Sequence, residues 1–292
     1  MIYNVRHVTT VRYAAMVRLA RFNLRLKPAP WPGQTLAGHE LIIEPRPRNI
    51  REDSGPYIVC RSRLMLAEPT DVLRVESRFS VAVDAVPLPD PAKGLTVAEM
   101  RRQAPGFHSL SPACPAAYLH ASPAAPMSAE ISAWARDFIA DDATVIAAGQ
   151  ALMAAIHGQF RYDSDATRTE TPPIEAFRQR RGVCQDFAHI MIVAARAHAI
   201  PAAYVSGYLR TIPPPGKPRL VGADAMHAWV VLWCGAALGW IGFDPTNNMF
   251  ALGDHIFTAM GRDYSDVSPL DGVFHGGAGQ TMKVAVDVAP QG

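Results

Sequence analysis

The spacing of apolar residues changes once along this chain of 292 residues, and that change limits the folds open to it. Between residues 5 and 83, apolar side chains mostly alternate with polar ones, which is the period of a strand with one buried face. Pro-rich turns at 27–33 and 44–47 divide this region into strands of hairpin length. From Ser128 onward the period becomes helical. The sequence therefore predicts an α+β fold in which an antiparallel sheet or sandwich precedes a helix-containing core.

A Pro-rich region separates the two patterns, because residues 84–126 contain eight prolines. Such stretches are typical of domain boundaries. We predict an N-terminal β-rich accessory domain at residues 1–105, a Pro-rich linker at 106–127, and a second domain at 128–292 that holds the candidate site. A further strand at 282–288 could join the sheet of either domain.

Charge and composition exclude several classes of function. The formal net charge is +2, which gives no reason to expect a nucleic-acid partner. The chain shows no apolar run long enough to span a bilayer, and its start alternates like a strand rather than a signal peptide. We therefore expect no membrane partner and a cytoplasmic location. The four cysteines form no C-x-x-C pair, so neither a disulfide framework nor a structural zinc site is expected.

A cysteine follows a glycine break and begins an apolar segment that Pro201 ends. Gly182 precedes it by two residues, and Cys184 would be the first residue of a buried helix, followed by an antiparallel sheet. The N-terminus of a helix carries free N–H groups and partial positive charge, which favour a thiolate and supply hydrogen bonds to an oxyanion. Cys184 is therefore our candidate nucleophile, with its own N–H as one oxyanion donor.

Two downstream residues could complete a nucleophilic site. Attack by sulfur on an amide carbonyl needs a base that later protonates the leaving amine, and a group that orients this base. His227 lies in a predicted strand and Asp244 ends the next one, so a tight antiparallel connection could bring them together. A second oxyanion donor is also needed, and the sequence does not rank the candidates, which are Gln179, Gln185, Tyr162 and Trp229.

Each of these residues also has a purely structural interpretation. A cysteine on an apolar helix is usually a small buried hydrophobe, and an Asp before Pro is a common turn former. A zinc site built from Cys184, His227 and Asp244 is possible, but this ligand set lacks a paired short spacing, so we predict no metal. The loop 261–269 could line the cleft or form a surface turn. Its substrate-binding candidates are Arg262, Asp263 and Tyr264, with Arg262 facing a substrate carboxylate.

Several stretches together resemble the bacterial transglutaminase-like family. In the core they are Gly182-Val183-Cys184-Gln185-Asp186-Phe187-Ala188-His189, Ile200-Pro201-Ala202-Ala203-Tyr204-Val205-Ser206-Gly207-Tyr208, His227-Ala228-Trp229 and Gly242-Phe243-Asp244-Pro245-Thr246-Asn247. Outside the core, Arg6-His7-Val8-Thr9-Thr10 and Arg25-Leu26-Lys27-Pro28 are similar to the β-rich domain that precedes it, and residues 261–269 are also similar to the family.

The resemblance implies a papain-like thiol fold of the transglutaminase superfamily, with a central helix packed on an antiparallel sheet. It implies Cys184 as nucleophile, His227 as base and Asp244 as the orienting acid. The family includes amide hydrolases and proteases as well as cross-linking enzymes. The chain shows no calcium-loop motif of the D-x-D-x-D-G type, so we favour hydrolysis of a peptide or isopeptide bond. Transamidation and a non-catalytic protein-binding module are the alternatives. We expect a peptide or protein substrate and no cofactor, and we leave the oligomeric state open.

Overall fold

The computed structural model describes residues 1–211, 225–276 and 279–291, and its architecture is α+β, as the sequence predicts. The strands of the described residues are β1 (Ile2–Leu24), β2 (Gln34–Glu44), β3 (Asn49–Ser54), β4 (Cys60–Leu66), β5 (Thr70–Val83), β6 (Arg161–Tyr162), β7 (Arg181–Gly182), β8 (Ala202–Leu209), β9 (Met226–Trp233), β10 (Trp240–Asp244), β11 (Met249–Phe250), β12 (His255–Gly261), β13 (Leu270–Gly276) and β14 (Gln280–Pro290). The α-helices are α1 (Val97–Gln103), α2 (Ala129–Ala135), α3 (Val145–Gln159), α4 (Pro173–Gln179), α5 (Cys184–Ala197) and α6 (Tyr264–Val267).

The N-terminal sheet is antiparallel and is built around β1. Its strand order is β2-β5-β1-β4-β3, and both β13 and β14 also pair with β1. Alternating side chains of β1 and β5 are buried, because one face of the sheet covers an apolar layer that includes Val11, Val17 and Leu73. The period of two in the sequence is therefore the signature of this sheet.

The C-terminal strands lie in the N-terminal sheet. Our predicted division placed residues 128–292 in the second domain, whereas β13 and β14 form hydrogen bonds with β1. The physical reason is the length of β1. One of its edges pairs with β5 over residues 2–12, so the other edge is left to pair with β14 over residues 3–13.

The Pro-rich region contributes to the core. Thr96 caps α1 by accepting the N–H of Glu99 at 3.2 Å, and the Glu99 carboxylate accepts the N–H of Thr96 at 2.8 Å. Val97 and Met100 of this helix are fully buried in the same apolar cluster as α3 and α5. The predicted accessory domain 1–105 thus ends in a helix that packs against the second domain.

The second region places α5 at its centre, packed on a five-stranded antiparallel sheet of order β11-β10-β9-β8-β12. This is the predicted arrangement of central helix and sheet. The two faces of β9 pack against different apolar clusters. Ala228, Val230 and Leu232 belong to the cluster around the helices. Trp229 and Val231 belong to a smaller cluster on the opposite face. Among the described residues, no helix has both the length and the apolar character needed to cross a membrane.

Candidate active site

Cys184 is the first residue of α5 and is partly buried. The turn before it is fixed by Asp186, whose carboxylate accepts the N–H of Val183 at 2.8 Å and the hydroxyl of Thr167 at 2.6 Å. Burial raises the pKa of Asp186, and these two hydrogen bonds oppose that rise. A Cβ at position 182 would lie 2.5 Å from the Asp186 carboxylate, so only glycine fits there. The glycine break in the sequence therefore serves the turn that presents the thiol.

His227 and Asp244 are in direct contact. His227 lies at the start of β9 and Asp244 at the end of β10, and the antiparallel pairing of these strands brings the two side chains to one end of the sheet. The distance from His227 Nε2 to Asp244 Oδ2 is 2.7 Å. Asp244 is fully buried, and its Oδ1 accepts the N–H groups of Thr246 and Asn247 at 3.0 and 3.2 Å. The carboxylate is therefore held rigidly against the imidazole.

The charges of this site favour a protonated histidine. Burial lowers the pKa of His227, but hydrogen bonds and charges from Asp244 and Cys184 outweigh it and raise the pKa to about 10. Burial alone would raise the pKa of Asp244, but hydrogen bonds from His227 and His255 hold it well below its usual range. Because Nε2 of His227 is engaged by Asp244, Nδ1 is the nitrogen left for the thiol. The site can thus hold an imidazolium between a carboxylate and a sulfur atom.

His255 is a site residue that our sequence reasoning missed. It lies at the start of β12, is 6% exposed, and its Nε2 is 3.1 Å from the same Oδ2 of Asp244. The Asn247 amide donates to this oxygen as well, at 2.7 Å. No local motif marks His255, since only the pairing of β12 with β8 brings it to the carboxylate.

A metal ion has a conceivable ligand set here. His227, Asp244 and His255 present ligand atoms that all lie within 4.8 Å of one another. Both histidines, however, direct Nε2 at one oxygen of the carboxylate, and two hydrogen bonds account for this geometry. Absence of a metal stays a prediction.

The structure separates the four candidates for the second oxyanion donor. Tyr162 pairs with Gly182 across β6 and β7, and its pKa is raised by burial and by the charge of Cys184, so it lies beside the nucleophile. Trp229 is buried, with its ring centroid 6.2 Å from that of His227. Gln185 instead donates to the carbonyl of Thr169 at 2.9 Å, and Gln179 is exposed at the end of α4. Tyr162 and Trp229 are therefore the candidates that the fold brings close to the triad.

The 261–269 loop is held in place by hydrogen bonds within the loop and to other segments. Arg262 donates to Asp266 at 2.9 Å, and its guanidinium lies 5.1 Å from the ring centroid of Tyr57. Asp263 is fully buried and accepts the N–H of Ala124 at 2.7 Å. The N–H of Tyr264 donates to His189 Nε2 at 3.2 Å. These contacts tie the loop to the core, and a role in substrate binding stays a prediction for all three residues.

Tyr264 is linked to the nucleophile through one intervening side chain. Its ring centroid lies 6.2 Å from that of Tyr204, a buried residue of β8. Burial and the charge of Cys184 raise the pKa of Tyr204 well above its ordinary value. Tyr264 also packs against the same apolar cluster as Cys184.

Comparison with known families agrees with this geometry. Residues 132–245 match the model of the transglutaminase-like superfamily core, and residues 3–82 match the bacterial transglutaminase-like N-terminal region. The chain belongs to the transglutaminase-like superfamily. The three candidate triad residues of this superfamily member, Cys184, His227 and Asp244, lie inside the matched core region.

Relatives of this superfamily member include the uncharacterized protein Rv2569c of Mycobacterium tuberculosis, which is 33% identical over 301 residues, covering 99% of this chain and 92% of that protein. A protein-glutamine gamma-glutamyltransferase of Pseudomonas aeruginosa is 35% identical over 105 residues, which cover 33% of this chain and 16% of that protein. A crystal structure from Cytophaga hutchinsonii, described as that of a candidate cysteine protease, has a TM-score of 0.75 and 21% identity, covering 100% of this chain and 92% of that one. This structure shares the fold.

Proposed function

We propose that this superfamily member is a cysteine-dependent amide-bond hydrolase, resembling a protease or peptidase, that acts through an acyl-thioester on Cys184. The observation that carries the proposal is the 2.7 Å contact between His227 and the buried Asp244 carboxylate, with Cys184 at the start of α5. Against the effect of burial, the hydrogen bonds and charges of Asp244 and Cys184 raise the pKa of His227 to about 10. An imidazolium next to sulfur stabilises a thiolate in cysteine enzymes. The proposal includes a peptide or protein substrate, a cytoplasmic location, no nucleic-acid or membrane partner, and neither metal nor cofactor.

The geometry supports two chemical steps. The thiolate of Cys184 attacks the amide carbon, and the N–H of Cys184 at the helix start donates to the developing oxyanion. His227 gives its proton to the leaving amine, the C–N bond breaks, and an acyl-thioester remains. Water then gives a proton to His227 as its oxygen attacks the thioester, which releases the acid and restores the thiolate–imidazolium pair. Asp244 keeps the imidazole oriented throughout.

Transamidation by the same residues is the second candidate. The observation that favours it is the local similarity to the Pseudomonas aeruginosa gamma-glutamyltransferase, which spans 105 residues. In that reaction an amine, rather than water, attacks the thioester on Cys184. The product is then a new amide instead of a free acid. A non-catalytic binding module is a weaker alternative, because such a role does not need a buried Asp244 hydrogen-bonded to His227.

Thiol labelling tests the enzyme proposal. We expect iodoacetamide to label Cys184 rapidly at about pH 6, because a nearby imidazolium supports the thiolate, and we expect His227→Ala to abolish this selectivity. Peptide mass spectrometry across about pH 5 to 9 gives the rates. Cys60 is the internal control, since it is also partly buried, and burial raises its pKa. Equal rates for Cys184 and Cys60, or unchanged selectivity in His227→Ala, would contradict the proposal.

Product analysis separates water from amine as the acceptor. Glutamine-containing peptides are incubated with the protein in the presence and absence of a primary amine, with Cys184→Ala as the inactive control. Hydrolysis predicts cleaved or deamidated peptide in both samples, whereas transamidation predicts a peptide carrying the amine. A dominant amine adduct would replace the hydrolase proposal with the transamidase one.

A further inference from the structure

A large apolar cavity lies between the N-terminal sheet, the Pro-rich region and the sheet of the second region. Its volume is about 860 Å³, which is within the range of small-molecule sites. The lining is mostly apolar, and the aromatic residues used below are Trp31, Trp229, Trp240 and Phe257. Three parts of the chain that are distant in sequence therefore line one cavity.

The wall formed by the N-terminal loop is fixed in place. The side chain of Gln34 donates to the carbonyl of Phe257 at 2.9 Å and accepts the N–H of Phe257 at 2.9 Å. The rings of Trp31 and Phe257 stack with centroids 4.2 Å apart. Trp240 Nε1 donates to the carbonyl of Ala113 at 3.1 Å, which holds the Pro-rich region against β10. The cavity is thus preformed, and a ligand would not have to assemble it.

His255 supplies the cavity with a buried polar group, whereas the charged lining residues Asp84, Asp90 and Lys93 are exposed. This histidine lines the cavity and is 6% exposed, and its Nε2 donates to the acceptor-only carboxylate of Asp244. Its other ring nitrogen, Nδ1, has no hydrogen-bond partner among the described residues. In the neutral ring, Nδ1 is an acceptor, so the matching ligand group is an N–H or O–H donor.

None of Cys184, His227 and Asp244 lines the cavity, although it lies next to the candidate site. Trp229 and His255 of the lining are neighbours of His227 and Asp244. Because the thiol is not part of the lining, a ligand that fills the cavity would be a separate small molecule.

We propose that this cavity is a binding site for a small, largely aromatic or aliphatic molecule that carries one hydrogen-bond donor, with His255 Nδ1 as its polar anchor. The apolar lining accommodates the body of the ligand, and the buried acceptor at His255 selects its orientation. The occupant would not contact Cys184, which is outside the lining, although its anchor His255 also holds Asp244.

Fluorescence titration with a matched pair of probes tests the proposal. N-phenyl-1-naphthylamine has an apolar body and one N–H, and its N-methyl derivative carries a methyl group in place of that hydrogen. We expect both to bind, with the N–H probe binding about threefold to tenfold more tightly, as one hydrogen bond to a buried acceptor allows. Alkylation of Cys184 should leave both affinities unchanged. Equal affinities of the two probes would overturn the role of His255, and loss of binding on alkylation would place the probe in the cleft.

Filling variants locate the probe. Ala113 lines the cavity, so Ala113→Trp should weaken probe binding by about tenfold or more, because the indole takes up cavity space. The matched control is Ala117→Trp, at an exposed position four residues away that is outside the lining, and it should bind like the parent. If Ala113→Trp does not fold, Val86→Asp at the half-exposed rim should also weaken binding. Equal binding by Ala113→Trp and Ala117→Trp, or an unaffected Val86→Asp, would overturn the site.

Discussion

At the scale of single residues, the carboxylate of Asp244 joins the side chains of the candidate site through hydrogen bonds. Its Oδ2 is shared by His227 at 2.7 Å, Asn247 at 2.7 Å and His255 at 3.1 Å. Groups that orient a catalytic side chain through a second hydrogen bond commonly contribute about tenfold to 100-fold in activity or affinity. We therefore propose that His255 positions the candidate triad, in addition to lining the cavity.

We predict that His255→Phe lowers kcat about tenfold while KM changes little, because the substrate cleft is intact but Asp244 is less firmly held. His255→Gln, which can still donate to Oδ2, should recover part of the loss. The measurement is steady-state turnover of a peptide substrate together with the pH profile of Cys184 labelling. His39→Phe is the matched control, since His39 is partly buried and contacts Ser77 far from the triad. A kcat for His255→Phe equal to that of His39→Phe would contradict this role.

At the scale of elements, the C-terminal end of α5 is anchored by Arg196. This residue is 3% exposed, and burial lowers its pKa to about 10. Its guanidinium donates to carbonyls of four different residues, which are Tyr118 at 3.0 Å, His120 at 2.9 Å, Ala202 at 2.9 Å and Arg262 at 2.6 Å. One side chain thus joins the nucleophile helix to the Pro-rich region, to β8 and to the 262 loop.

We predict that Arg196→Met reduces the free energy of unfolding by about 3 kcal/mol or more, because several buried carbonyls lose their donor. Urea unfolding followed by circular dichroism measures this change. Arg178→Met provides the control, since Arg178 is exposed and its ion pair with Glu130 at 2.9 Å should contribute less than about 1 kcal/mol. Similar losses for the two variants would show that the buried network does not stabilise the fold as we infer.

At the scale of the whole molecule, the C-terminal strand β14 connects the two sheets. Val286 and Val288 are fully buried in a cluster that also contains Tyr3 and Val5 of β1 and Tyr208 of β8. The chain therefore returns to its own beginning and covers the contact between the N-terminal sheet and the second region. The sheets should unfold together, since neither can expose this cluster alone.

We predict that Val286→Asp lowers the free energy of unfolding by about 3 kcal/mol or more, because the carboxylate would be buried without a partner. Val284→Asp, two residues away on the same strand, should change it by less than about 0.5 kcal/mol, because Val284 is 44% exposed. Thermal unfolding followed by circular dichroism and labelling of the buried Cys234 should report one shared transition. Two separate transitions in the parent protein would contradict the coupling of the sheets.

The amino-acid sequence by itself determined the local structures and the identity of the candidate triad. Hydrophobic period separates strands from helices because it reflects which face of an element is buried, and the glycine before Cys184 marks a turn that a larger residue would block. The blocks around Cys184, His227 and Asp244 are local, so they can be recognised without coordinates. The pairing of His227 with Asp244 follows from two consecutive strands joined by a tight connection.

The tertiary structure decided what depends on contacts between distant segments. His255 reaches Asp244 only through the pairing of β12 with β8, and the partners of Arg196 lie as far as 78 residues away in sequence. The same is true of β14. Its alternating apolar residues are compatible with either sheet, and its pairing with the free edge of β1 places it in the N-terminal sheet. Local propensity is fixed by neighbours in the chain, whereas burial and hydrogen bonding at these positions are fixed by which surfaces meet when the whole chain packs.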